Sequence, residues 1–186
     1  MIRAFQLVMI SLAVLVNTAG QVWAVNILVA SHATDEILQY DDLGAFVGAF
    51  VTAGSGGLDG PITPIFGPDG NLYVSSAATD QVLRYNGTTG AFIDVFVMAG
   101  GGGFGPHGMN FGPDGNLYVV NQGAADHKIT RYNGATGAFI DLFVPYQSGG
   151  LVNPHDLVFG PDDNLYVTSL NDDTVYRYNG STGVFC

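Results

Sequence analysis

Cysteine and basic residues are both scarce in this sequence. Cys186 is the only cysteine, so no disulfide within the chain can form and burial of apolar surface must supply the stability. Five Lys and Arg residues stand against 16 Asp and Glu residues, which gives a formal charge of −11. Because binding to a phosphate backbone needs a basic patch, nucleic acid is excluded as a partner. The partners that remain are a small molecule, a carbohydrate or a protein.

The chain also lacks an apolar run long enough to cross a membrane. The segment from Ala4 to Val16 is apolar apart from Gln6 and Ser11, but it is shorter than the roughly 20 residues that a spanning helix needs. It follows Arg3, and a signal-peptidase site is expected after Ala24. We therefore predict a signal peptide over residues 1–24 and an exported chain, secreted, periplasmic or on the cell surface, over residues 25–186. An uncleaved amphipathic anchor is the alternative.

What the sequence has is a tandem repeat. Three blocks of sequence recur in a fixed order at a spacing of about 46 residues. Glycine is abundant, at 27 of 186 residues, and falls largely between runs rich in Val, Ile, Phe and Tyr. The block Phe-Gly-Pro-Asp begins at Phe66, Phe111 and Phe159; Arg-Tyr-Asn-Gly begins at Arg84, Arg131 and Arg177; Thr-Gly-(Ala/Val)-Phe begins at Thr89, Thr136 and Thr182.

These blocks predict strands joined by tight turns. Pro68-Asp69-Gly70-Asn71 has proline and glycine where a turn needs them, and Asn86-Gly87 is typical of a hairpin reversal. The same Asp-Gly-Asn sequence resembles part of a calcium loop, but the terminal acidic ligand of such a loop is absent, which favours the turn. No window of helical period separates the runs. Each repeat is therefore four short antiparallel strands, and the chain is predicted to be all-β.

Four strands in about 46 residues are typical of a propeller blade, and a β-sandwich of repeated hairpins is the alternative. The repeats run approximately over residues 25–60, 61–105, 106–152 and 153–186. The first is predicted to begin at the second strand of a blade, and the last stops where its outermost strand should continue. About three and a half blades are thus present, which indicates a fragment of a larger ring. A complete four-bladed ring is the alternative.

The segment Pro106-His107-Gly108-Met109-Asn110, followed by Phe-Gly-Pro-Asp-Gly-Asn-Leu-Tyr-Val up to position 119, carries a family resemblance. It is similar to the NHL-repeat and gluconolactonase/regucalcin-like six-bladed propellers, and also to virginiamycin B lyase-like propellers. The resemblance covers nearly all of residues 25–186 and implies a six-bladed ring. It also implies that the inner strands line a central channel, with their leading loops at the binding face. Such families include lactone hydrolases, lyases and binding modules, so the resemblance does not assign chemistry.

The candidate site lies in those leading loops. His107 and His155 occupy the same position of successive repeats, so a ring would make them neighbours at the mouth of the channel. With Asp156 and Asn110 they are the predicted ligand-binding residues, and the two imidazoles are the candidate ligands of a divalent metal ion. The alternative is that each histidine bonds backbone in a tight loop, because Ile62 fills the equivalent position.

Two functions are consistent with these observations. The strong signals concern the fold, which favours an exported propeller acting as a binding or scaffold module for an unknown ligand. A metal-dependent lactone hydrolase or lyase is the alternative, with His107, His155 and Asp156 in the channel. Whether this chain is an enzyme stays open at this stage.

Overall fold

The computed structural model describes residues 10–11, 27–103, 105–123 and 127–186. These residues form four antiparallel sheets with short 3₁₀ turns and without any α-helix. No described segment is a helix that could cross a membrane. Sheet 1 contains β1 (Ile10–Ser11), β2 (Ile27–Ser31), β3 (Glu36–Tyr40) and β4 (Phe46–Val51); sheet 2 contains β5 (Pro61–Phe66), β6 (Leu72–Ser76), β7 (Gln81–Tyr85) and β8 (Phe92–Val97); sheet 3 contains β9 (Pro106–Phe111), β10 (Leu117–Asn121), β11 (Lys128–Tyr132) and β12 (Phe139–Val144); sheet 4 contains β13 (Pro154–Phe159), β14 (Leu165–Ser169) and β15 (Thr174–Tyr178).

Each sheet is a meander whose strands pair in chain order. The first strand of one sheet packs against the first strand of the next, β5 against β9 and β9 against β13. These first strands are therefore the inner strands, and the sheets follow one another as the blades of a propeller do. The predicted all-β propeller of four-stranded blades, with about three and a half blades present, is confirmed.

Sheet 1 differs from the prediction at its inner edge. The sequence predicts that the first repeat lacks an inner strand, whereas β1 occupies that position, with Ile10 opposite Val29 and Ser11 opposite Leu28. Both residues of β1 fall within the predicted signal peptide, the rest of which lies outside the described residues. The signal peptide therefore stays a prediction.

Sheet 4 has three strands, and its outermost strand is only begun. Phe185 forms an isolated antiparallel bridge with Tyr178, and the amide of Cys186 donates to the Arg177 carbonyl. In sheets 2 and 3 the equivalent segments continue as β8 and β12. There Arg84 binds Asp94 with two bonds of 3.0 and 2.6 Å, and Arg131 binds Asp141 in the same way. Arg177 has no such carboxylate opposite it in the described residues.

The core lies between the sheets rather than within a single layer. Side chains alternate along each strand, so one set meets the preceding sheet and the other meets the following sheet. All five residues of β6 and of β10 are buried because sheets 2 and 3 are covered on both faces. The corresponding strands β2 and β14 are buried at only some positions, because sheets 1 and 4 each have one uncovered face. Three apolar clusters fill the three junctions between sheets.

In sheets 2, 3 and 4 the turn between the first two strands closes on its own aspartate. The Asp69 carboxylate accepts from the Asn71 amide, the Asn71 side chain and the Tyr73 hydroxyl, at 3.1, 2.7 and 3.0 Å. Gly70 has a φ of 77°, and in the last repeat Asp163 adopts 59° at the same position. These contacts are those of a turn, as the sequence predicts, and they occupy the carboxylate oxygens that a calcium ion would need.

Candidate site on the inner strands

The inner strands begin at the same end of the molecule as the loops after the second strands. Because successive strands of a meander run in opposite directions, the start of β9 and the end of β10 lie at the same end of sheet 3. Pro106, the first residue of β9, pairs with Asn121, the last of β10. Side chains from the two kinds of loop therefore meet at this end.

His107 and His155 are the second residues of β9 and β13. Their ring centroids are 5.1 Å apart and the planes are inclined at 70°, an edge-to-face contact. The structure thus places the two imidazoles side by side, which follows from the packing of one inner strand against the next. We refer to His107 and His155 as the histidine pair.

The His107 imidazole is held in its neutral form. Burial lowers its pKa to about 4, and the nearby His155 and His32 add to the effect because a second positive charge there would be repelled. His32 comes from the loop after β2 and approaches Gly60, just before β5. Nδ1 of His107 is buried and has no hydrogen-bond partner among the described residues. A polar atom in that state costs about 1–3 kcal/mol of desolvation unless something else bonds to it.

Asp156 follows His155 on β13 and is fixed by its own backbone surroundings. Its Oδ1 accepts from the Leu157 amide at 2.9 Å, and its amide donates to Oγ1 of Thr168 at 2.9 Å. Burial raises the pKa of the Asp156 carboxyl, while the Leu157 amide and His155 act in the opposite direction. A Cβ on Gly108 would lie 2.4 Å from Oδ1 of Asp156. Because Gly108 has no side chain, β9 leaves room for the Asp156 carboxylate.

Asn110 shares no hydrogen bond with His107, His155 or Asp156 among the described residues. It is half-buried, stands opposite Tyr118 in the pairing of β9 with β10, and has no side-chain hydrogen bond among the described residues. Thr63, by contrast, was not predicted as a site residue. It occupies on β5 the position of Gly108 and Asp156, and its Oγ1 is buried without a partner in the described part of the chain. Only its alignment with Asp156 could have singled it out from the sequence.

The fit of this region to a metal ion is poor. The described residues contain no group of three or more His, Cys, Asp and Glu side chains that could hold one. The pair supplies two imidazoles, and one oxygen of Asp156 is already bonded to a backbone amide. A catalytic zinc site needs three protein ligands and an open position. The residues described here do not complete such a set.

The loops after the second strands connect one sheet to the next through hydrogen bonds, and we call each of these bonds a tie between sheets. Oδ1 of Asp35 accepts from the Gly60 amide at 2.8 Å, and Oδ1 of Asp80 accepts from the Gly105 amide at 2.7 Å. In sheet 3, Nδ1 of His127 accepts from the Asn153 amide at 3.2 Å. Each bond holds the segment that enters the next inner strand. The repeated spacing of aspartate and glycine is the sequence signal for it.

No protein-family model and no curated protein sequence matches the chain, whereas solved structures do. Virginiamycin B lyase from Staphylococcus aureus, in an inactive form with quinupristin, superposes with a TM-score of 0.65 and 15% identity, over 93% of this chain and 52% of the lyase. A chain of the nidogen/laminin complex gives 0.71 and 15%, over 85% and 57%. A gluconolactonase from Xanthomonas campestris gives 0.64 and 18%, over 86% and 57%.

The chain therefore has the β-propeller fold. Its sheets are arranged as in the lyase, gluconolactonase and nidogen propellers, which confirms the predicted resemblance at the level of fold. The chain spans about half the length of each of these solved structures. At such identities the likeness defines architecture and leaves the function to be argued from the residues themselves.

Proposed function

We propose that this protein is a ligand-binding propeller module whose ligand contacts the histidine pair. The observation that carries the proposal is Nδ1 of His107, which is buried beside the ring of His155 and has no hydrogen-bond partner within the described ranges. A ligand that donates to this nitrogen, or accepts from it in the other tautomer, would recover the desolvation cost.

The charge of the molecule favours some ligands over others. The chain carries −11, so an anionic ligand is repelled at long range and a neutral or cationic one is not. His107 contributes no positive charge near neutral pH, since its pKa is lowered to about 4. A neutral hydroxyl-rich small molecule, a carbohydrate or a polar protein segment fits these conditions. Export of the chain would place the module outside the cytoplasm.

The test is a binding screen read out on the histidine rings by NMR. The probes are neutral monosaccharides and disaccharides, glucono-1,5-lactone and quinupristin. We expect at least one probe to shift the ring signals of His107 and His155, and we expect His107→Ala and His155→Ala to abolish its binding. His127→Ala is the matched control and should bind normally, because His127 serves a tie between sheets. Shifts that survive both pair variants, or no shift with any probe, would contradict the proposal.

A metal-dependent lactone hydrolase or lyase is the second candidate. The observation in its favour is the adjacency of His107, His155 and Asp156 on β9 and β13. It would need further ligands from outside the described residues. Metal analysis of the full chain, with lactonase and lyase assays of His107→Ala and His155→Ala, tests it. A stoichiometric metal lost in both variants would favour the enzyme, and its absence together with unchanged activity would eliminate it.

A further inference from the structure

The junction between sheets 2 and 3 is built without the leucine that fills the two other junctions. Leu58 and Leu151 each stand three residues before the first residue of an inner strand and are 2% and 0% exposed. Both belong to the apolar clusters of their junctions. Gly103 has the same position before β9, and the cluster between sheets 2 and 3 contains no described residue of this connecting segment. The middle junction therefore has a glycine where the others have a large apolar side chain.

The side chain of Asn121 takes up part of the space beside Gly103. A Cβ on Gly103 would lie 1.7 Å from Oδ1 of Asn121. Gly103 does not adopt a positive φ, so its backbone accepts other residues and the asparagine is what requires glycine there. Asn121 is the last residue of β10 and is 2% exposed. The second strands of the other sheets end in serine: Ser31, Ser76 and Ser169.

A small cavity lies beside Gly103 and Asn121. Its volume is about 10 Å³, which is about the space that a single water molecule needs. Sheet 2 contributes Val82 and Val97 to the lining, and sheet 3 contributes Val119, Asn121 and Tyr132. The lining thus combines apolar walls with side chains that form hydrogen bonds.

The amide of Asn121 uses its donors within sheet 3 and leaves its acceptor free for another group. Nδ2 donates to the Val119 carbonyl at 3.1 Å and to Oγ1 of Thr130 at 2.8 Å. A carbonyl can only accept, so this contact identifies the nitrogen of the amide. Oδ1 accepts no hydrogen bond from the described residues. Because a buried acceptor without a donor is unfavourable, a donor inside the cavity would stabilise the folded chain.

The hydroxyl of Tyr132 differs from its counterparts in the neighbouring sheets. The Tyr85 hydroxyl donates to the Ser55 carbonyl at 2.8 Å, and Tyr178 makes the same bond to its own connecting segment. The Tyr132 hydroxyl instead accepts from Oγ1 of Thr130 at 3.2 Å. No described residue of the connecting segment before β9 accepts from it. Its proton is therefore available to a partner in the cavity.

We propose that this cavity binds one ordered water molecule, which donates to Oδ1 of Asn121 and accepts from the hydroxyl of Tyr132. Asp80 also lines the cavity, and its carboxylate supplies an acceptor for the second proton of the water. Three polar partners are typical of a buried water. Pro106 lines the cavity as well and is followed by His107. The water thus links sheet 2 to sheet 3 beside the start of the inner strand that carries the histidine pair.

Water-to-methyl Overhauser effects in the full chain, with labelled valine methyl groups, test the site. We expect the methyl groups of Val97 and Val119 to give cross-peaks with water whose sign differs between the laboratory-frame and rotating-frame experiments, which marks a long-lived water. Val74 is the internal control, because it lies in the junction that Leu58 fills, and it should give none. Relaxation dispersion of solvent ¹⁷O counts long-lived waters without responding to exchanging hydroxyl protons.

The double variant Gly103→Leu/Asn121→Ser gives the middle junction the residues of the other two. It should abolish the water contacts of Val97 and Val119 and remove one long-lived water from the ¹⁷O dispersion. Gly103→Leu alone should lower the urea midpoint, because its side chain meets the Asn121 amide, and the double variant should recover it. Asn121→Leu keeps the side-chain size but removes the acceptor, and it should also lose the water. Circular dichroism establishes that each variant is folded.

Four results would overturn the proposal. They are the absence of water contacts at Val97 and Val119 in the parent chain, equal contacts at Val74, contacts that persist in a folded double variant or in Asn121→Leu, and a Gly103→Leu variant with the midpoint of the parent.

Discussion

The neutral state of His107 predicts that the protein loses stability in mild acid. The pKa of His107 is about 4 in the folded protein against 6.5 in an unperturbed side chain. Between these values the unfolded chain binds a proton that the folded chain does not, so the free energy of unfolding falls as the pH falls from about 6.5 towards 4. Above about pH 6.5 the loss is absent.

The size of the effect follows from the shift. A difference of about 2.5 pH units corresponds to roughly 3.4 kcal/mol if nothing screens the charge. His107 is only half-buried, so solvent screening reduces the expected contribution to roughly 1–2 kcal/mol. Asp156 acts in the opposite direction: its pKa is raised on folding, so acid stabilises the folded state there. The prediction is therefore best measured in an Asp156→Asn background.

The assay is urea unfolding at about pH 7 and about pH 4.5, a window that leaves the turn aspartates ionised. His107→Gln keeps a polar side chain of similar size without a titrating group. We expect it to remove roughly 1–2 kcal/mol of the stability loss between the two pH values. His127→Gln is the control that leaves His107 in place. An acid-induced loss in His107→Gln equal to that of the parent would refute the reasoning.

Three further substitutions test the packing between sheets and the turns, each by urea unfolding. Asp80→Ala removes a tie between sheets and should cost about 1–2 kcal/mol more than Asp173→Ala, which shares its left-handed backbone and has no partner in the described residues. Asp163→Gly relieves a left-handed backbone and should stabilise the protein by about 0.5–1 kcal/mol; a loss would contradict the turn geometry. Gly108→Ala should destabilise by about 1–3 kcal/mol, because its Cβ meets the backbone of Asp156 at 2.5 Å; an unchanged unfolding midpoint would contradict that contact.

The repeat made the fold predictable because the turn and strand preferences of its residues favour the same structure as the packing between repeats. Glycine and aspartate at fixed turn positions and β-branched runs between them define strands without reference to the rest of the chain. Repetition then implies that adjacent units pack in the same way, which is why the sequence alone could anticipate His107 beside His155. β1 was missed because two residues within the apolar run from Ala4 to Val16 carry no strand signal of their own.

The finer features of the site depend on distances that no pattern records. The unpartnered atoms of His107 and Thr63 result from the depth at which those side chains lie. The ties through Asp35 and Asp80 join residues that are 25 positions apart in the sequence, so no local pattern predicts them. Both features arise where one sheet packs against another, so the sequence of a single repeat does not predict them.

The histidine pair is the most direct point at which to test the whole account. In an NMR spectrum of histidine-labelled protein at about pH 5, the ring protons of His107 and His155 should give a nuclear Overhauser cross-peak, as expected for centroids 5.1 Å apart. The His107 ring should still be neutral there, with a pKa of about 4. The absence of the cross-peak, together with a His107 titration near the unperturbed value of 6.5, would contradict both the packing of the sheets and the site built upon it.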